Sequence, residues 1–165
     1  MFGVIWLTSA FTILSNNWNV DNENYKVNFT SKKFNGGFKG LKANLVFNEN
    51  DLPASKLSAS IDASTISTGS SLRDKHARQG LDAEKYQTIK FESESIVKGA
   101  NGYTALGKLY IKDVIKAIKI PFTFTKTTNG GVFEGGFNIK PEEYNVTKMG
   151  TPEEIDIQLN IPVTQ

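Results

Sequence analysis

The chain has 165 residues, 39% hydrophobic and 22% charged, which is enough for one domain with a core and too few for two of ordinary size. Its 19 Lys and Arg against 17 Asp and Glu leave a charge of +2 with no long run of either sign, so charge gives no reason to expect a nucleic-acid or acidic partner. Cysteine is absent, which excludes disulfides, thiolate catalysis, iron–sulfur clusters, cysteine zinc sites and a cysteine-linked lipid anchor.

The first element is apolar from Phe2 to Leu14, and no charge occurs before Asp21. That length fits the ~7–15-residue core of a secretory signal and falls short of the ~20 residues of a membrane-spanning helix. Thr8 and Ala10 supply small residues for cleavage, although a basic leading segment is missing. Residues 1–17 are therefore read as the remnant of a signal peptide and residues 18–165 as one domain, with no stable membrane span.

From Trp18 onward the dominant period is two, the spacing of a strand with one face buried. Val27 and Phe29 begin the pattern, "FKGLKANLVFNENDLP" reads as a strand ending in a polar turn, and Leu57, Ala59 and Ile61 continue it. "SSLRDKHARQG" (70–80) breaks toward helix, with Ser70 or Ser71 as cap, Leu72 and His76 one turn apart, and Gly80 as the stop. A second short turn, "LDAEKYQ", follows.

Alternation then resumes at Ile89 and Phe91, at Tyr103, Ala105, Gly107, Leu109 and Ile111, and at Ile118, Ile120, Phe122 and Phe124. "TTNGG" is a strong hairpin signal, because Asn and Gly accept positive φ. Beyond it Phe133, Gly135, Phe137 and Ile139 share a side, and Ile155, Ile157, Leu159, Ile161 and Val163 alternate with polar residues. Pro121 and Pro162 cannot donate to a ladder, so each marks a strand end, a bulge or an unpaired edge.

About eight strands without alternating helices imply an all-β, antiparallel architecture with one or two short helices around 70–86. Glycines inside strands, at Gly37, Gly40, Gly107, Gly135 and Gly136, permit the sharp coiling of a closed barrel, and closure removes exposed edges.

Catalytic motifs are scarce. His76 is the lone histidine, so a protein zinc site would need carboxylates for nearly all its ligands. No Gly-x-Ser-x-Gly elbow occurs, and Asp74 lies two residues from His76, where side chains on a helix do not face each other. "FNGGFKG" and "NGGVFEGG" lack the following helix that a phosphate cradle needs. Glu142 with Glu143, and Glu153 with Glu154, sit beside prolines and read as solvated loop charges.

The one-sided phenylalanines are more informative. An eight-stranded barrel pointing Phe29, Phe91, Phe122, Phe124 and Phe137 inward is either filled by those rings or leaves room for a long apolar ligand. Gly107 and Gly135 on the same face subtract volume, which favours a cavity. Each buried CH₂ of a ligand would then gain ~0.8 kcal/mol.

"LSASIDASTISTGSSLRDKHARQGLDAEKYQTIKFESESI" resembles the segment typical of the YceI-like family: a strand ending in Thr-Gly, an Arg-Asp-x-His helix start, and a Lys-Tyr-x-x-Ile-x-Phe strand. "NWNVDNENYKVNF", "GKLYIKDVIKAIKIPF" and "GGFNIKPEEYNV" are similar to further family motifs, so the likeness spans residues 18 to 163. The chain departs from the pattern at Ala77, which follows His76 in place of leucine, at Lys140 in place of arginine, and in lacking a histidine in its first hairpin.

The resemblance implies an extended lipocalin-like barrel, periplasmic or secreted, whose interior holds a polyisoprenoid, a quinone or another long-chain lipid without catalysis. It makes Arg73 and His76 candidates for a ligand head group, or for holding the helix on the barrel mouth. The candidate ligand-binding set is Phe29, Ile61, Arg73, His76, Phe91, Leu109, Ile111, Phe122, Phe124, Phe137, Ile139 and Leu159. No metal or cofactor other than bound lipid is expected, and a homodimer is compatible with the sequence. Two rival readings stand beside the carrier: an interaction protein with a filled barrel that docks a partner through the mouth helix, and a lipid-modifying enzyme using His76.

Overall fold

The alternation is realised as antiparallel ribbon throughout residues 16–165, the part of the chain that the structure, a computed structural model, describes. The leader expected at 1–17 lies outside the described residues except for Asn16 and Asn17. Ten strand segments follow: β1 (Asn17–Val20), β2 (Lys26–Thr30), β3 (Gly36–Phe38), β4 (Lys42–Val46), β5 (Lys56–Asp62), β6 (Thr88–Gly99), β7 (Gly102–Ile111), β8 (Val114–Lys126), β9 (Gly130–Ile139) and β10 (Ile155–Thr164). One α-helix, α1 (Ser71–Gly80), and two 3₁₀ turns, Ala63–Thr65 and Pro141–Tyr144, complete the described elements.

The ten segments occupy eight positions around a closed barrel. The order is β1-β4-β5-β6-β7-β8-β9-β10-β2-β3, and β10 also pairs with β1. β10 takes β2 along Asp156–Asn160 and β1 at Val163 and Thr164, so β1 and β2 form one interrupted staff. β4 on β1 and β3 on β2 share the next. Beside β3 the wall is joined by Gly37 and Ser67, whose amides and carbonyls exchange hydrogen bonds of 2.9 and 3.0 Å.

Both prolines sit where a ladder stops. The β8–β9 ladder runs only from Phe122 to Lys126, against Gly135 to Gly131, and Pro121 is the residue just beyond it. Pro162 lies opposite the gap between β1 and β2, where its carbonyl accepts the Asp21 amide at 2.8 Å. A residue with no N–H fits both places because no partner strand is there to receive one.

α1 is the single helix of the 70–86 segment. Ser70 is its N-cap, but the Ser70 side chain makes no capping bond. Gly80 is the last helical residue and not the left-handed stop: Leu81 follows in the right-handed region and Asp82 takes φ +49°. "LDAEKYQ" is a hydrogen-bonded turn, with Lys85 and Tyr86 amides on the Asp82 carbonyl (3.0 and 2.8 Å), and it buries Leu81 and Ala83 under the barrel end.

The interior divides into two clusters along the barrel axis. One gathers Trp18, Phe47, Phe122, Phe124 and Phe133. The other gathers Phe29, Ile66, Leu81, Leu109, Ile111 and Tyr144 beneath α1. Phe38, Ile89, Phe91, Ile118 and Phe137 touch both and are only partly buried.

Candidate functional site: a half-hollow barrel

Inward positions on neighbouring strands decide where the barrel is solid. At the end away from α1, six aromatic rings meet. Phe47 packs edge-on against Tyr103, Phe122, Phe124 and Phe133 at centroid distances of 5.1 to 5.6 Å. Trp18 lies 4.9 Å from Phe124, and its indole Nε1 donates to the Phe47 carbonyl at 2.9 Å. Tyr103 donates to Glu49 at 3.0 Å, and its phenol is held above its ordinary pKa by burial first and by that carboxylate second. This end is a plug.

In the middle of the barrel the inward residues of β4, β5 and β7 shrink to Ala43, Ala59 and Ala105, and a cavity of about 530 Å³ opens over them. Its walls are almost wholly apolar, Val27, Leu45, Leu57, Ile120 and Phe133 among them. The volume lies within the ~300–1,000 Å³ range usual for ligand sites. The barrel is therefore neither filled throughout, as the interaction-protein reading requires, nor hollow throughout.

Of the candidate residues, Phe29, Ile61, Arg73, His76, Phe91, Leu109, Ile111, Phe122, Phe137, Ile139 and Leu159 all line this cavity. Phe124 does not: it points inward one pleat deeper, into the plug, 4.6 Å from Phe133. Of the two inward glycines expected to leave room, Gly135 lines the cavity and Gly107 does not. A Cβ on Gly107 would meet the Glu92 carbonyl and lie 2.8 Å from Phe91 Cζ, and one on Gly135 would lie 3.0 Å from Phe122 Cβ. Backbone carbonyls stand against both positions and the Phe91 ring against Gly107, so these glycines admit close contact, while Ala43, Ala59 and Ala105 leave the room.

The mouth is assembled from α1 and two loops. Arg73, His76, Ala77 and Gly80, at positions i, i+3, i+4 and i+7, turn one helix face to the cavity. Gly80 lies beside the 146–148 segment, where an added Cβ would make ordinary contact, 3.5 Å from Lys148 Cβ and 3.7 Å from Val146 Cγ1. Lys33, Phe34 and residues 148–152 complete the rim. Lys33 Nζ donates to the Thr151 carbonyl at 3.1 Å, tying the two loops together.

The cluster around His76 is anchored through its neighbours. Asp74 accepts the Thr68 amide at 2.7 Å and the Thr68 hydroxyl at 2.6 Å. Those bonds from Thr68, with Arg78 and Arg73 nearby, hold the Asp74 carboxyl below its ordinary range against the opposing effect of desolvation. Arg73 donates to the Thr68 carbonyl at 3.3 Å and lies 5.0 Å over the Phe34 ring. His76 is exposed at the rim and has no hydrogen-bond or ion-pair partner among the described residues, so it lacks the orienting group that a nucleophile–base arrangement uses.

Sequence reasoning missed Ala43, Leu45 and Leu57 as cavity wall, and Lys33, Lys148 and Met149 as rim. The wall residues carried a readable signal, since small or aliphatic residues fill every second place of "KANLV" and "KLSASI". The rim residues stand in irregular segments with no period to betray them.

Comparison with known proteins gives a consistent picture. The YceI-like domain model matches residues 18–163. A UPF0312 protein of Serratia proteamaculans is 31% identical over 142 residues, covering 81% of this chain and 70% of that one. BcnA of Burkholderia cenocepacia superposes with a TM-score of 0.81 at 25% identity, covering 89% of this chain and 100% of BcnA. A polyisoprenoid binding domain from Saccharophagus degradans shares the fold at a TM-score of 0.68 and 13% identity, covering 91% of this chain and 98% of that one. Since the family model takes in every strand from the Trp18 pairing with Leu45 to the Val163 pairing with Val20, the chain belongs to the YceI-like domain family.

Proposed function

We propose that the chain is a non-catalytic carrier, periplasmic or secreted, that holds one long apolar chain, an isoprenoid or other lipid, in the half-hollow barrel. The observation that carries this reading is the apolar cavity that is closed at one end by aromatic rings and open at the other beside α1. Such a shape takes a chain end-on, tail toward the rings and polar head at the rim.

Magnitudes set a lower bound on the ligand. Ten buried carbons gain ~8 kcal/mol at ~0.8 kcal/mol each, while association costs about 4–15 kcal/mol. A chain of ten carbons is thus near break-even, and longer chains bind. The wall residues offer no hydrogen-bonding pattern that would select one head group, so length and girth set the preference. The polyisoprenoid-binding neighbour supports the isoprenoid class over a compact ligand.

Solvent extraction of protein purified without delipidation, followed by mass spectrometry, tests the reading. A long-chain lipid in near-stoichiometric amount is expected. A blank extract from a lipid-replete host, together with failure of the apo protein to take up prenyl or acyl probes, overturns it.

A further inference from the structure

Large apolar side chains exposed on a small barrel are few, and two of the four among the described residues stand at the mouth. Met149 is 95% exposed and Leu72 64%; Ile115 stands on β8 near the same end and Val97 on β6 at the opposite one. Met149 is not a loose loop residue. It occupies the tip of a turn in which Thr151 returns two hydrogen bonds to the Lys148 carbonyl, from its amide at 3.0 Å and its hydroxyl at 2.6 Å. Gly150 takes φ +93° in that turn, and Lys33 holds Thr151 from the neighbouring loop. A turn this well fixed, with a methionine at its apex, presents the thioether to solvent by construction.

Leu72 stands across the mouth. On α1 it shares a stripe with His76 and Gln79, and Gln79 Oε1 receives Lys148 Nζ from the Met149 turn. Leu72 lies about 10 Å along the helix from Gln79 at 1.5 Å per residue. Leu72 does not itself line the cavity but precedes Arg73, which does, so both apolar tips stand at the same end of the barrel.

The rim residues that line the cavity include the cations Lys33, Arg73 and Lys148 and no carboxylate. Lys32, Lys75 and Arg78 stand beside them in sequence, as do the acidic Asp74 and, directly after Pro152, Glu153 and Glu154. Asp74 is already engaged by Thr68. Asp82, Glu84, Asp113, Glu142, Glu143, Glu153 and Glu154 belong to segments at this end but, like Lys32, Lys75 and Arg78, do not line the cavity, and Glu143 is paired with Lys116 at 3.4 Å. None of the rim cations has a carboxylate within ion-pair distance among the described residues.

We propose that the mouth is a membrane-docking surface: Leu72 and Met149 insert at the headgroup boundary of an anionic phospholipid bilayer while Lys32, Lys33, Lys75 and Lys148 engage its phosphates. Exposed apolar tips within a cationic ring are the two components of interfacial binding, one supplying burial and the other attraction to negative lipid. The arrangement puts the open end of the cavity against the acyl phase, so a chain passes between bilayer and barrel without crossing water. Asn16, the first described residue, lies at the opposite end, its carbonyl accepting the Phe47 amide at 2.8 Å. The docking is read from vesicle binding and not from ligand uptake, so it stands or falls separately from the carrier reading.

The test is co-sedimentation of the full chain with phosphatidylcholine vesicles and with the same vesicles containing phosphatidylglycerol. Binding is expected only, or far more strongly, with phosphatidylglycerol, and to weaken as salt rises. Leu72→Glu with Met149→Glu should cut it about tenfold or more, from lost insertion and added repulsion. Lys33→Glu with Lys148→Glu should remove the dependence on phosphatidylglycerol. Val97→Glu, an exposed apolar residue at the opposite end of the barrel, should leave it unchanged; circular dichroism confirms that each variant is folded. Equal binding to both vesicle types, an equal loss in the Val97 variant, or a self-association abolished by Leu72→Glu with Met149→Glu in place of vesicle binding overturns the proposal.

Discussion

The plug and the hollow are built from the same alternation on the same strands, yet one is solid and the other empty. Phe47 is 2% exposed, enclosed by four rings, whereas Phe91 and Phe137, of the same type and pointing to the same side, remain partly exposed along the cavity. The difference lies in what stands opposite. Rings facing rings close the barrel at one level; rings facing Ala43, Ala59 and Ala105 do not reach one another at the next. Inward orientation alone therefore says nothing about whether a residue stabilises the fold or receives a ligand.

The largest expected effect breaks the plug. Phe47→Ala should lower stability by about 3–5 kcal/mol in urea titration, the usual loss for a large ring removed from full contact. Phe91→Ala should cost about 1–2 kcal/mol, because one side of that ring already lacks partner atoms. Equal losses at the two sites would mean that the hollow collapses in solution.

Filling the hollow gives the reverse pattern. Ala59→Trp should reduce uptake of an apolar fluorescent probe about tenfold or more, ~1.4 kcal/mol, with the urea midpoint little changed. A variant that binds the probe undiminished would show that ligand lies elsewhere.

The smallest effect concerns the mouth. Asp74 has its folded pKa below the ordinary 3.8, so its bonds to Thr68 contribute fully above that value and are lost as pH falls through the lower folded one. Amide exchange at Thr68 should accelerate over that acid range, and Asp74→Asn should remove the pH dependence.

Strand identity was legible because period two is a property of the chain itself. The splitting of two barrel staves into β1 with β2 and β3 with β4 was not. Asp21 accepts the Glu23 amide at 3.1 Å and the Asn24 side chain at 2.8 Å, and such a turn reads the same whether it interrupts a staff or joins two hairpin strands. Period two also gives the face but not the level along the barrel, which is why Phe122 and Phe124 read alike although only Phe122 lines the cavity. The helix was legible from composition, but its end was set by Asp82, whose left-handed backbone competes with the expectation that Gly80 would take that role. The mouth depends on loops brought together by contacts such as Lys33 with Thr151, which join residues 118 positions apart.

The short β8–β9 ladder has a mechanical meaning. On the α1 side of Pro121 these two strands are held across the seam by side chains of the Pro141–Tyr144 turn, chiefly Lys116 with Glu143 at 3.4 Å and over Tyr144 at 6.0 Å. Enlarging the circumference there separates an exposed ion pair and some apolar contact, but breaks no backbone bond between the strands. The wall is thus least tightly laced from mid-height to the rim, on the side where the cavity opens, and most tightly laced at the aromatic base.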